Sequence, residues 1–135
     1  MADTDIILYP HDHILGIIDD HEKADAALAD LNQRGVAEQD ITVLTGEEGA
    51  ARIDAHGTRH GLLTRFLRAI QFATMDALPD AEDYEQAALR GNFVLAIRVH
   101  GTEQRDLVHK TLREHGAHFI NYYGKLASMP LEEGR

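Results

Sequence analysis

The same strand–helix–strand plan occurs twice in this chain, and that repetition constrains its fold more than any other feature. In the first copy Ile14-Leu-Gly-Ile-Ile18 is a short apolar run stopped by Asp19-Asp20, the pattern of a buried strand. Asp19 and Glu22 have the spacing of a helix-start capping box. Ala24, Ala27, Leu28 and Leu31 recur on one helical face until Arg34-Gly35 supplies a stop, and Ile41-Thr-Val-Leu44 is a second strand closed by Thr45-Gly46. In the second copy Phe93-Val-Leu-Ala-Ile-Arg-Val99 is the strand and Thr102 the expected N-cap. Leu107, Val108, Thr111 and Leu112 form the buried stripe, His115-Gly116 ends the helix, and Phe119-Ile-Asn-Tyr122 is the closing strand before Tyr123-Gly124.

Two such units predict an α+β, ferredoxin-like (split βαβ) fold, a four-stranded antiparallel sheet with helices on one face. The first strands, 14–18 and 93–99, are apolar at nearly every position and are expected side by side at its centre. Helices over about 21–34 and 103–115 should share one sheet face. The other face would then expose apolar side chains unless a second copy or inserted helices cover it, which makes a homodimer the expected state.

Between strands 2 and 3 lies a helical insertion. The chain divides into βαβ 13–46, insertion 47–91, βαβ 92–124 and a C-terminal tail 125–135, all within a single domain 1–135. The insertion far exceeds the usual connection of about 4–6 residues. Thr45 and Glu48 repeat the capping-box spacing, suggesting a short helix through Ile53. Leu62, Leu63, Phe66, Leu67, Ile70, Ala73, Ala77 and Leu78 fall on one arc of a long helix. Pro79-Asp80 breaks it, and Ala81 to Arg90 reads as a further helix stopped by Gly91.

Charge narrows the partners. A formal net charge of -10 argues against general nucleic-acid binding through phosphates. Yet between Ala50 and Ile70 Arg52, Arg59, Arg65 and Arg68 face a single acid, Asp54. An anionic ligand or an acidic protein partner would be steered to this basic island. No apolar run approaches the about 20 residues that cross a bilayer. The acidic N-terminus does not resemble a signal peptide, and the chain has no cysteine. A cytoplasmic protein is expected, with no membrane association.

Within the island, Asp54-Ala-His-Gly-Thr-Arg-His-Gly-Leu62 sets His56 and His60 four residues apart. On a helix they could share a metal, but Gly57 and Gly61 weaken the helix and no third ligand is marked, so no structural metal and no cofactor are expected. Thr58 and the Gly61 amide could instead present donors to an anion at the start of the long helix, complemented by Arg52, Arg59 and Arg65. The bland reading is a solvated loop that launches that helix. Phe72 and Met75 fall on its polar side near Arg65 and Arg68. Either a neighbouring element covers them, or they form an arginine-flanked protein interface.

Little points to catalysis. Asp19, Asp20, Glu22, Glu47, Glu48, Asp80, Glu82 and Asp83 fall where caps and solvated helix faces need them. The one serine, Ser128, lies in the tail, and Tyr122 and Tyr123 follow the last strand, one ring inward and the other outward.

Gly16-Ile-Ile-Asp-Asp, Ile41-Thr-Val-Leu-Thr-Gly-Glu-Glu-Gly, His60-Gly-Leu-Leu and His115-Gly-Ala-His-Phe-Ile-Asn-Tyr-Tyr-Gly124 together resemble small bacterial general-stress or heat-induced stress proteins over about residues 13–126. The resemblance implies a stress-associated protein with no established catalytic activity, and carries over no catalytic residue. The expected role is a non-catalytic binding or interaction module acting through the insertion. The alternative is a small-ligand sensor holding an anion, nucleotide or metal near Arg52, His56, Arg59 and His60.

Overall fold

The two repeats meet through their first strands. β1 (His13–Ile18) and β4 (Phe93–Arg98) pair antiparallel without a break, from His13 opposite Arg98 to Ile18 opposite Phe93. Every residue of β1 is buried, as are all of β4 except Arg98, which is why both read as unbroken apolar runs rather than alternating ones. The computed structural model describes residues 12–46, 67–69, 81–124 and 128–131. Its other elements are α1 (His21–Gln33), β2 (Ile41–Thr45), β3 (Leu67–Ala69), α2 (Ala81–Leu89), α3 (Thr102–Glu114), β5 (His118–Tyr123) and β6 (Ser128–Pro130). The described strands form one sheet in the order β3-β2-β4-β1-β5-β6. Its four longer strands, β2-β4-β1-β5, are antiparallel throughout.

The three described α-helices end alike. Gly35, Gly91 and Gly116 take φ of 99°, 92° and 86°, the left-handed conformation that glycine adopts without steric penalty. Paired turns, Val36 N–H to Leu31 O with Gly35 N–H to Asn32 O and their counterparts after α2 and α3, satisfy the last carbonyls. The starts differ from expectation by one residue. Asp20, not Asp19, caps α1, its carboxylate accepting from the Glu22 amide at 2.9 Å. Ile18 is still paired in the sheet, so Asp19 is spent on leaving it, and its carboxylate meets His118 Nε2 at 3.0 Å. Gly101, not Thr102, is the N-cap of α3; its φ of 98° starts the helix, while Gln104 Oε1 accepts from the His100 amide at 2.7 Å.

The two faces of the sheet are covered by different elements. On the first, Ile14, Ile18, Val43, Leu95, Ile97 and Ile120 pack against Leu28 and Leu31 of α1 and Val108 and Leu112 of α3. Both repeat helices therefore share a face. On the second, Leu15, Ile17, Leu44, Val94, Ala96 and Phe119 pack with Tyr84 and Ala87 of α2. Of the two coverings expected for the other face, a second copy or inserted helices, the insertion supplies a helix.

The insertion also brings a correction. Leu67, assigned to a long helix by periodicity, begins β3, which runs parallel to β2 with Val43 opposite Leu67, Leu44 opposite Arg68 and Thr45 opposite Ala69. The far side of β2 offers unpaired backbone groups, and satisfying them outweighs a helical propensity worth tenths of a kcal/mol per residue. The rest of that expected helix lies outside the described residues, as does the expected short helix through Ile53. Thr45 is the last residue of β2 and its hydroxyl donates to Asn92 O at 2.8 Å, while the helix it was expected to cap lies outside the described residues. The expected tail also contributes structure, since β6 pairs antiparallel with β5. Both described sheet edges are three-residue strands, one containing Arg68 and the other Pro130. Short edges with a charge or a proline are poor templates for strand addition. Among the described residues no helix is long and apolar enough to cross a membrane.

Candidate functional site

Most of the basic island, Arg52, His56, Thr58, Arg59, His60 and Arg65, lies outside the described residues, as do Phe72 and Met75. Arg68 is the exception. It is the middle residue of β3, in register with Leu44 of β2, so the C-terminal end of the island is fixed to the sheet edge by backbone pairing. At the end of β2, Gly46 N–H reaches Ala88 O of α2 at 3.3 Å. A Cβ at Gly46 would sit 3.0 Å from that oxygen, so this contact depends on glycine. The insertion is thus held to the sheet through β3 and through α2.

Under α2 lies a buried polar group that the sequence did not advertise. Tyr84 Oη donates to Phe119 O at 3.3 Å and accepts from Asn121 Nδ2 at 2.9 Å and from Tyr123 Oη at 3.0 Å. The Tyr84 ring also packs against Phe119, centroids 5.3 Å apart, and edge-on to Tyr123 at 6.3 Å. β5 also carries an irregularity. Leu15 pairs with Asn121 but Ile17 with His118, so β5 carries one extra residue, and Phe119 takes a φ of 51°. The alternation of β5 sets Phe119, Asn121 and Tyr123 together on the α2 side. Tyr122, between them, turns to the first face and donates to Asp12 at 2.9 Å, with the Arg105 guanidinium 4.9 Å from its ring centroid. Burial, aided by the Asp12 carboxylate, pushes the Tyr122 hydroxyl above its ordinary pKa. The two tyrosines point to opposite faces, Tyr123 buried under α2 and Tyr122 partly buried against the first face.

On the helical side the polar chemistry is ionic and near the surface. Arg34, the C-cap of α1, donates to Asp30 at 2.9 Å, Thr111 at 3.0 Å and Glu114 at 3.2 Å, while His115 Nε2 lies 2.9 Å from Asp30. The His115 hydrogen bond, with Arg34 adding to it and partial desolvation opposing it, holds the Asp30 carboxyl below its ordinary range. His100 meets Asp40 at 3.0 Å. Histidines that looked scattered along the chain therefore tie distant segments: His100 to Asp40, His115 to Asp30 and His118 to Asp19. Only the three-dimensional meeting of these elements reveals that; their sequence separations of 60, 85 and 99 residues carry no local signal.

These groups can fix elements in place, and the hydroxyl and amide cluster can orient a helix. Among the described residues no three His, Asp or Glu side chains gather as a metal site. Comparison of the chain with family models, with curated proteins and with solved structures finds no match.

Proposed function

We propose that this protein is a non-catalytic, stress-associated binding module of ferredoxin-like fold that works in the cytoplasm through its insertion. The strand order β2-β4-β1-β5 with two helix-connected repeats supports the fold name. The observation that carries the function is the attachment of the insertion: β3 extends the sheet edge and α2 packs on the second face. A basic stretch in a chain of net charge -10 is thereby tied to a rigid core at Arg68, the arrangement of a recognition loop on a scaffold. An acidic protein patch is the partner that this charge distribution favours.

The test compares wild type with an Arg52→Ala/Arg59→Ala double variant in partner pull-down and in thermal shifts with inorganic phosphate, nucleotides and polyanions. The module reading expects loss of an acidic partner with unchanged melting temperature. A phosphate- or nucleotide-dependent thermal shift that vanishes in the variant would select the sensor reading, which the convergence of four arginines on one stretch also favours. Identical behaviour of the two proteins in every assay would remove both. The argument for a homodimer was an open apolar face, and α2 meets that need within the chain. A dimer would instead be built on the insertion, and light scattering at micromolar concentration distinguishes it from a monomer.

A further inference from the structure

Among the described residues, the second face of the sheet is closed by a light element. α2 has nine residues, against thirteen each in α1 and α3. Its buried side chains are Tyr84, Ala87 and Ala88, so its apolar hold rests largely on one ring, since alanine removes little area from water. What adds to that hold is polar: Tyr84 Oη bonds with Phe119 O, Asn121 Nδ2 and Tyr123 Oη of β5, and Gly46 N–H after β2 donates to Ala88 O. Water can replace such bonds when a helix lifts away, whereas it cannot replace contacts among leucines. The helix also has a ready pivot: it passes into β4 through Gly91, with φ of 92°, and Asn92.

We propose that α2 is a detachable cover, leaving the sheet as a unit while β1, β2, β4, β5 and the helical layer stay folded, with the Tyr84–Asn121–Tyr123 hydrogen bonds as its catch. Opening bares Leu15, Ile17, Leu44, Val94 and Phe119, side chains that α2 and its neighbours keep buried in the closed form. This conformational device is independent of what the basic island binds.

Native-state hydrogen exchange tests it, by comparing the Ala87, Ala88 and Leu89 amides of α2 with those of Val94, Leu95 and Ala96 in β4. In wild type the α2 amides should exchange at least about tenfold faster, because local opening is less costly than global unfolding. Tyr84→Phe weakens the closed form alone, so both sets should speed by the same factor, about tenfold. Leu28→Ala weakens the closed and α2-open forms equally, because Leu28 lies on the opposite face. It should therefore speed β4 and leave α2 unchanged. If Leu28→Ala does not fold, Ile14→Val on the same face makes the same comparison. Equal rates in α2 and β4 of the wild type, or equal acceleration of both by the opposite-face variant, would show that α2 opens only when everything does and would overturn the proposal.

Discussion

The two faces of this sheet solve one problem, hiding apolar strands, by different means. The helical face uses bulk. Leu28, Leu31, Val108 and Leu112 interlock with Ile14, Ile18, Leu95 and Ile120, all fully buried, and charged side chains close the seam between α1 and α3 from outside. The α2 face uses geometry. Two alanines allow close approach, Gly46 leaves room for the Ala88 carbonyl and donates its N–H to it, and a tyrosine meets polar groups that the alternation of β5 sets on its side. An aliphatic interface tolerates imprecision but loses much when atoms are removed. A hydroxyl network tolerates little misplacement, yet each bond contributes only about 0.5–1.5 kcal/mol net.

Deletion on the helical face should have the largest effect. Leu28→Ala is expected to destabilise the protein by ~2–5 kcal/mol in denaturant unfolding, because it removes a fully buried side chain beneath both layers. A loss below ~1 kcal/mol would mean that the aliphatic face is no tighter than the other, and the contrast would fail. Next is Gly46→Ala, which adds one carbon 3.0 Å from a backbone oxygen. It should cost about 1–3 kcal/mol, as overpacking does, with near-ultraviolet signals from Tyr84 and Tyr123 changing as α2 shifts. An unchanged tyrosine spectrum would detach Gly46 from the seating of α2.

The smallest effect concerns the charged seam and is read through pH. Asp30 has a folded-state pKa below its unfolded one. Its contribution is therefore complete above the unfolded value and disappears as pH falls through the folded value. The stability difference between wild type and Asp30→Asn should be steady near neutral pH and shrink below the ordinary carboxylate range. A difference that grows toward acid would mean that Asp30 does not act as a charged partner of His115 and Arg34.

The sequence was legible where structure is local. Alternation of apolar runs with capping and glycine signals located β1, α1, β2, α2, β4, α3 and β5 within a residue or two, since strand burial and helix termination are written in neighbouring positions. It failed where a choice depends on something distant. Leu67 fits a helical arc as well as a strand, and only the open edge of β2 selects the strand. The Asp19–Glu22 spacing fits a capping box, but the sheet keeps Ile18 and moves the cap to Asp20. For the candidate site, the basic island was visible from charge alone, and of its residues only the backbone position of Arg68 is described.

By itself, then, the sequence determined the two repeats, their central apolar strands and the placement of the helix stops, because each follows from periodicity and backbone preference within a few residues. Tertiary structure decided which face α2 covers, that β3 and β6 extend the sheet, and that Tyr84, Asn121 and Tyr123 share hydrogen bonds across nearly forty residues of chain. Those outcomes depend on which unpaired backbone edge or buried polar group finds a partner, and such partners are assigned only when the whole chain is packed together.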